Sequence, residues 1–220
     1  MVHLFEDLGS FQLRNLESQG RRRQHSAGDT VIYRGDTGDA VYFLLDGCMK
    51  VHCSGPDQEE VVLDLLEAGS FFGEMAALES LPRTADVTAL TVSEVFILES
   101  KPFLALVDSE PGVRRRLLQT QALRLRRLSR RLNSVATQDV GTRVAALLVE
   151  MADDQHQTAG AQWRVRFGAT QSDLAAMVGA TRESVNKILA ALRREGIIAS
   201  EPGAFLIPNP GALRERAAAE

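Results

Sequence analysis

Cysteine is scarce in this chain of 220 residues, and its scarcity excludes whole classes of protein. The two cysteines, Cys48 and Cys53, lie five positions apart on a segment that is expected to form a strand. Their side chains therefore point to opposite faces and cannot form a disulfide. Together with four scattered histidines they provide no metal-ligand spacing. A disulfide framework and a cysteine-held metal cluster are excluded, and the chain suits a reducing compartment.

Long apolar runs are also absent. No stretch approaches the roughly 20 residues that a membrane-spanning helix needs, and the N-terminal MVHLFEDLGS lacks the basic-then-apolar pattern of a secretory signal. We therefore expect a cytoplasmic protein with no membrane partner. With 45% hydrophobic and 25% charged residues, the composition is that of a globular protein with one large or two modest domains.

The net charge of −4 hides a strong segregation of charge along the chain. Residues 1–112 contain 8 Lys and Arg against 19 Asp and Glu, whereas residues 113–136 contain 8 Arg and no acidic residue. The remainder, 137–220, contains 9 basic and 10 acidic residues. An acidic whole-chain pI of about 5.7 therefore does not exclude binding to nucleic acid.

The acidic N-terminal segment predicts helices followed by many short strands. Residues 3–20 have the apolar spacing of one or two short amphipathic helices. From residue 23 to residue 99, short apolar runs alternate with glycine-containing corners, a pattern typical of strands joined by tight turns. This pattern predicts an antiparallel sandwich or roll.

The stretch 69–85, GSFFGEMAALESLPRTA, has the strongest functional pattern. A helix start offers backbone N–H groups to an anion, and Arg83 and Thr84 add a guanidinium fork and a hydroxyl. Glu74 is compatible with a bound phosphate where the ligand also has a hydroxyl that donates to the carboxylate. On its own, Glu74 or Arg83 would be interpreted as part of a surface ion pair, which contributes little to stability. The ordered set favours a pocket for a sugar phosphate.

FGEMA followed by RTA resembles the phosphate-binding cassette of cyclic-nucleotide-binding domains. The resemblance implies that Glu74 holds the ribose 2′-OH and that Arg83 holds the cyclic phosphate. It also implies that Thr84 and the backbone amides of Gly73 and Met75 complete the phosphate site. The motif is long and ordered, and is far more specific than a glycine pattern alone.

A long helix is predicted over the arginine-rich segment. Its positions at spacings of three and four, here called the seam, are Leu118, Gln121, Leu125, Leu128, Leu132 and Val135. Five of these six positions are apolar, which favours a symmetric parallel homodimer over a helix packed only on its own roll. The arginines are interpreted as a solvated face towards the acidic roll and not as a DNA site.

The remaining segment predicts a winged helix-turn-helix domain. One helix begins after Asp139, and a polar loop follows over residues 155–161. A second, capped helix stops at Gly179, and Thr181 caps a third helix, RESVNKILAALRRE. A small hairpin over residues 197–207 supplies the wing.

This segment resembles the DNA-binding domain of the Crp/Fnr family of transcription regulators. Such a recognition helix enters the major groove with its N-terminus first. Arg182 and Lys187 suit guanine, Glu183 suits the cytosine amino group, and the resemblance places all three at base-reading positions. Val185, Ile188 and Leu192 are predicted to face the domain core. The residues predicted to contact DNA are Thr170, Gln171, Thr181, Arg182, Glu183, Ser184 and Lys187.

We therefore expect an α+β protein with three parts. They are a cyclic-nucleotide-binding β-roll at 1–112, a dimerisation and coupling helix at 113–136, and a winged helix-turn-helix domain at 137–220. The resemblance implies a DNA-binding transcription regulator, not an enzyme, that is switched allosterically by cyclic AMP. It further implies a homodimer on an inverted repeat of double-stranded DNA, acting with RNA polymerase.

Several alternatives stay open. The pair of hydroxyls that reads adenine in the family aligns with Leu128 and Ser129, so one hydroxyl is retained and one is lost. Cyclic GMP, a cyclic dinucleotide or no effector are alternatives for the same regulator. A regulatory module of a kinase or channel is disfavoured by TRESVNK. An enzyme acting on a phosphoester is disfavoured because no nucleophile–base pair accompanies Glu74 and Arg83.

Overall fold

The structure is a computed structural model that describes residues 2–55, 60–155 and 162–218. Contacts between residues divide the chain into two compact units, Met1–Arg126 and Arg127–Glu220. The division falls within one long helix, which contains the segment predicted as the coupling helix.

The first unit begins with helical segments and continues as strands. After a 3₁₀ turn at His3–Phe5, helix α1 spans Ser10–Gln19. The strands are β1 (Gly20–His25), β2 (Thr30–Ile32), β3 (Ala40–Asp46), β4 (Cys48–Ser54), β5 (Glu60–Glu67), β6 (Phe71–Phe72), β7 (Asp86–Ala89) and β8 (Ser93–Glu99). The helices that follow α1 are α2 (Glu74–Glu79), between β6 and β7, and then α3 (Ser100–Ser109) and α4 (Pro111–Thr137).

The strands form two four-stranded sheets, in the orders β1-β8-β3-β6 and β2-β7-β4-β5. Every pairing within them is antiparallel. The predicted α+β fold with an antiparallel roll is therefore confirmed. Cys48 and Cys53 both lie on β4, and no disulfide joins them.

The core of the first unit has two layers because the first sheet is covered on both faces. Leu44 and Ile97 belong to the apolar layer shared with the second sheet. Phe43 and Leu98 belong to the layer that packs against the helices. Phe43 is fully buried, and its ring centroid lies 4.7 Å from that of Phe5. Alternation along the strands thus gives each face its own apolar set.

The second unit begins with the end of α4 and contains a three-stranded sheet. Its helices are α5 (Val140–Asp154), α6 (Gln171–Val178), α7 (Arg182–Arg194) and α8 (Pro210–Ala217). Its strands β9 (Trp163–Arg166), β10 (Ala199–Glu201) and β11 (Ala204–Ile207) pair antiparallel in the order β10-β11-β9. The predicted helix-turn-helix and wing are confirmed.

Helix α8 is an addition that the sequence analysis did not predict, although Asn209 caps it and Pro210 occupies its first turn. The polar loop predicted at 155–161 lies, except for Gln155, outside the described residues. Within the described ranges, no helix is both long and apolar enough to cross a membrane.

Candidate functional site

The turn between β6 and α2 brings the backbone unusually close to Arg83. Gly73 there adopts a left-handed conformation with φ of +78°. A Cβ atom at this position would lie 2.6 Å from Arg83 Nη1, so any side chain would displace the guanidinium. The glycine is therefore needed both for the backbone conformation and for the position of Arg83.

Arg83 is a buried cation, with only 6% of its surface exposed. Its Nη1 donates to the Gly73 carbonyl oxygen at 2.6 Å and its Nη2 to the Ala40 carbonyl oxygen at 2.7 Å. The guanidinium carbon lies 5.7 Å from the ring centroid of Tyr42. Burial lowers the pKa of Arg83, and nearby carboxylates including that of Glu74 oppose this change.

Arg83 forms no ion pair with a carboxylate among the residues that the structure describes. Its two hydrogen bonds go to neutral carbonyl groups and use two of the five N–H donors of the guanidinium. A buried charge without an opposite charge in direct contact is costly unless an anion binds to it. The arrangement therefore suits the binding of an anionic group.

Glu74, the first residue of α2, is buried to a similar degree, with 2% of its surface exposed. Its Oε1 accepts hydrogen bonds from Gln121 Nε2 at 2.6 Å and from Arg124 Nη1 at 2.8 Å. Arg124 also donates to the Phe71 carbonyl oxygen and lies 5.0 Å from the centroid of that ring. One face of α4 is thus joined directly to the start of α2.

This contact corrects the interpretation of the α4 arginines as a solvated face at one position, Arg124. The side chain of Arg124 is only 21% exposed, and its partner is a predicted ligand-binding carboxylate. Arg116 pairs with two acidic residues that precede α1, Glu6 and Asp7. Gln121 and Arg124 were missed as pocket residues because their role depends on how α4 packs, which local sequence does not reveal.

The other predicted pocket residues are exposed. Met75 follows Glu74 on α2 and is 45% exposed, and Thr84 directly follows Arg83. The carbonyl oxygen of Thr84 lies 3.7 Å from the thiol of Cys53. The structure therefore brings the half-buried Gly73 together with the buried Glu74 and Arg83, and Met75 and Thr84 are their exposed neighbours in the chain.

The five apolar residues of the seam on α4 are all exposed. The exposed fractions are 64% for Leu118, 66% for Leu125, 42% for Leu128, 74% for Leu132 and 54% for Val135. Ser129, the second residue predicted to read the base, is exposed as well. A row of exposed apolar residues on a 27-residue helix, interrupted at the half-buried Gln121, is unusual for a surface that faces only solvent.

In the second unit, side-chain caps determine where the helices of the helix-turn-helix begin. Thr170 accepts from the backbone N–H of Asp173 at 3.2 Å, and the Asp173 carboxylate accepts from the Thr170 N–H at 2.7 Å. Thr181 accepts from the N–H of Ser184 at 3.2 Å. Gly179 makes the turn between the helices with φ of +61°. The hydroxyls of Thr170 and Thr181 therefore already have a structural role.

The outer face of α7 has the three predicted base-reading residues, all of them exposed. Lys187 Nζ lies 2.8 Å from Glu183 Oε1, and the two side chains are 75% and 79% exposed. An ion pair this exposed contributes little to stability, so both groups can exchange it for DNA. Gln171, at the start of α6, is half-buried.

The inner face of α7 differs by one position from the prediction. Val185 and Leu192 are buried as expected, but the third fully buried residue is Leu189. Ile188, which was predicted to face the core, is only half-buried. Neighbouring apolar residues at 188 and 189 fit the helical spacing equally well, and only packing distinguishes them.

Arg143 is a further residue that the sequence analysis missed. Its Nη1 donates to the Gln138 carbonyl oxygen at 3.0 Å, just after the end of α4, and its Nη2 to the Gly179 carbonyl oxygen at 3.3 Å. This one side chain therefore ties the end of the long helix to the turn of the helix-turn-helix.

A β-roll with buried charges, a long helix and a helix-turn-helix on one chain define a class of ligand-responsive DNA-binding proteins. Residues 22–110 match the family described as cyclic nucleotide-binding domain. Residues 142–216 match the family described as Crp-like helix-turn-helix domain.

Whole-chain relatives agree with these matches. A CRP-like cAMP-activated global transcriptional regulator of Mycobacterium tuberculosis is 32% identical over 190 residues, which cover 86% of this chain and 85% of the relative. The cyclic AMP receptor protein of Thermus thermophilus is 30% identical, with 96% and 95% covered. The crystal structure of a CRP/FNR-family transcriptional regulator from the same species has a TM-score of 0.70 at 29% identity, covering 90% of this chain and 99% of the other. This chain belongs to the Crp/Fnr family of transcription regulators.

Proposed function

We propose that this regulator is switched by a cyclic nucleotide, and that cyclic AMP is its preferred effector. The observation that carries the proposal is the buried guanidinium of Arg83, which has no carboxylate in direct contact among the described residues. The carboxylate of Glu74 is buried too, and is near enough for its charge to raise the pKa of Arg83. A phosphate and a neighbouring hydroxyl on one small ligand satisfy both groups. The names of the relatives in Mycobacterium tuberculosis and Thermus thermophilus favour cyclic AMP.

Each pocket residue has a distinct role in this proposal. The unused N–H donors of Arg83 bind the cyclic phosphate, and the Thr84 hydroxyl and the backbone amides of Gly73 and Met75 complete its shell. Glu74 accepts a hydrogen bond from the ribose 2′-OH. A charge-assisted hydrogen bond of this kind contributes about 1.5–3 kcal/mol.

Recognition of the base is assigned to the long helix. Ser129 supplies a hydroxyl to the adenine amino group, and Leu128 adds an apolar contact in place of a second hydroxyl. We therefore expect weaker discrimination between cyclic AMP and cyclic GMP than two hydroxyls would provide. Cyclic GMP or a cyclic dinucleotide as effector, or a regulator that needs none, are the competing outcomes.

The exposed seam supports a homodimer built on α4, with residues 113–136 as the dimerisation and coupling segment between the parts at 1–112 and 137–220. A parallel pair of helices buries these leucines against their copies. A two-fold dimer binds a two-fold DNA site, so we expect an inverted repeat of half-sites resembling TGTGA, one helical turn apart.

On each half-site α7 enters the major groove. Arg182 and Lys187 donate to guanine O6 and N7, and Glu183 accepts from a cytosine amino group. Gln171 binds a phosphate, and Thr170, Thr181 and Ser184 place the helix starts against the DNA backbone. RNA polymerase is the further partner that a transcription regulator requires. We expect the protein to be cytoplasmic, because it must reach DNA and RNA polymerase.

Titration calorimetry with a panel of cyclic nucleotides tests the choice of effector. Cyclic AMP is expected to bind more tightly than cyclic GMP, and Ser129→Ala is expected to reduce that preference. The control is Ser18→Ala, which makes the same change at an exposed position on α1. Tighter binding of cyclic GMP, or of a cyclic dinucleotide, would overturn the assignment of cyclic AMP.

A further inference from the structure

Gln121 belongs to two surfaces at once. On α4 it occupies a seam position, with exposed Leu118 and Leu125 as its seam neighbours. Its side-chain amide, however, donates to the buried Glu74 carboxylate at 2.6 Å. The one polar residue of the seam is therefore directly hydrogen-bonded to the carboxylate that the proposed function assigns to the ribose.

From this geometry we infer that Gln121 is the residue that couples the nucleotide pocket to the dimer seam. The inference rests on the proposed function, because it needs both a ribose hydroxyl at Glu74 and a paired α4. It extends the proposed function by identifying one side chain, Gln121, that can hydrogen-bond either to Glu74 in the pocket or to its own copy across the dimer seam.

The two partners of Gln121 exclude one another. In a symmetric parallel pair of α4 helices, position 121 of one chain faces position 121 of the other, and the two amides can hydrogen-bond across the seam. An amide bonded to Glu74 of its own chain is turned away from that contact. The side chain therefore has two alternative positions, one at the pocket and one at the seam.

The ribose shifts the balance between these positions. A 2′-OH that donates to Glu74 shares the negative charge of the carboxylate, which already accepts from Arg124 at 2.8 Å. The hydrogen bond from Gln121 then stabilises the pocket position less, and the seam position becomes relatively more favourable. Because binding free energies are linked, tighter pairing of α4 in turn favours nucleotide binding.

Arg124 cannot couple the pocket to the seam in this way, although it donates to the same Glu74 carboxylate. It lies off the seam, and its second nitrogen donates to the Phe71 carbonyl oxygen, so it remains attached to the roll when the ribose binds. Gln121 has no second anchor of this kind among its described contacts.

The test measures how far cyclic AMP increases the affinity of the full-length protein for a DNA duplex with two TGTGA half-sites. Fluorescence anisotropy gives the dissociation constant with and without cyclic AMP, and calorimetry gives the affinity for cyclic AMP. The variants are Gln121→Leu, which completes the apolar seam, and Gln121→Asn, which retains an amide too short to reach Glu74. Gln119→Leu, at an exposed position off the seam on the same helix, is the matched control.

Gln121→Leu is expected to bind DNA more tightly without cyclic AMP and to lose about fivefold of the stimulation by cyclic AMP. Gln121→Asn, whose amide is released from Glu74 and can still pair across the seam, is expected to lose stimulation with a smaller gain in basal affinity than Gln121→Leu, because two amides stabilise the seam less than two leucines. Gln119→Leu is expected to behave as the unmodified protein. Stimulation that is unchanged in both Gln121 variants would overturn the inference and leave the proposed function standing. An unmodified protein that neither binds nor responds to cyclic AMP would overturn both.

Discussion

The pocket and the recognition helix use the same kinds of side chain in opposite surroundings. In the pocket, Glu74 and Arg83 are 2% and 6% exposed. On α7, the side chains of Glu183 and Lys187 are 79% and 75% exposed and pair with one another. A glutamate and a cation are thus both buried at the proposed nucleotide site of one unit, and both exposed on the proposed DNA surface of the other.

Burial determines how each region responds to change. A desolvated charge has few alternative partners, so removing one member leaves a group that water cannot satisfy. An exposed charge is solvated before and after it binds DNA, and its loss is partly compensated by water and salt. Substitutions in the pocket should therefore cause large losses of nucleotide affinity. Substitutions on the DNA surface should cause smaller losses of DNA affinity or of base discrimination.

The largest effect is expected for Arg83→Leu. Loss of a charge-assisted contact to a desolvated phosphate costs about 2–5 kcal/mol, which abolishes measurable cyclic-nucleotide binding. Calorimetry measures the affinity, and Arg14→Leu, an exposed arginine on α1, is the control. Because Arg83 also holds the Gly73 and Ala40 carbonyls, thermal unfolding of the variant must show a folded protein. A folded Arg83→Leu protein with unchanged affinity would remove the pocket assignment.

A smaller effect is expected for Glu183→Ala. Loss of one base contact costs about 1–3 kcal/mol of discrimination at one base pair, while other positions keep their preference. Selection of binding sites from a random library measures the base profile. Glu215→Ala, an exposed glutamate on α8, is the control for the loss of one charge. An identical profile for Glu183→Ala and the unmodified protein, or a best site without two-fold symmetry, would contradict the assignment.

The smallest effect is expected for Gln171→Ala. A hydrogen bond from the Gln171 amide to a solvated phosphate contributes about 1.5 kcal/mol, the lower end for bonds to charged groups, and it is made whatever the base sequence. Affinity should therefore fall alike for the best site and for unrelated DNA, which anisotropy titrations on two duplexes measure. A loss confined to the best site would show that Gln171 reads bases.

How much the sequence predicts differs between the two regions. The helix-turn-helix was predictable because its caps, Thr170 and Thr181, and its turn glycine are local signals. Helix α8 had the same kind of signal in Asn209 and Pro210, which was overlooked. In the pocket, the motif identified Glu74 and Arg83 because they lie close together in the chain.

The partners of the pocket residues could not be predicted. Gln121 lies 47 residues from Glu74 in the chain, and Arg124 lies 50 residues away. From helical periodicity alone, Gln121 is predicted to form a dimer contact in the seam, and Arg124 is predicted to be a surface charge. Only the packing of α4 against the start of α2 reveals their contact with the carboxylate.

The central claim is that occupancy of the buried pocket changes the affinity of the exposed surface for DNA. The most direct measurement is the dissociation constant for an inverted-repeat duplex, determined by anisotropy at one fixed salt concentration, with and without saturating cyclic AMP. We predict at least about fivefold tighter binding with cyclic AMP, the lower end of site–site coupling, and no change in a folded Arg83→Leu protein. Equal affinity of the unmodified protein under both conditions would contradict the account.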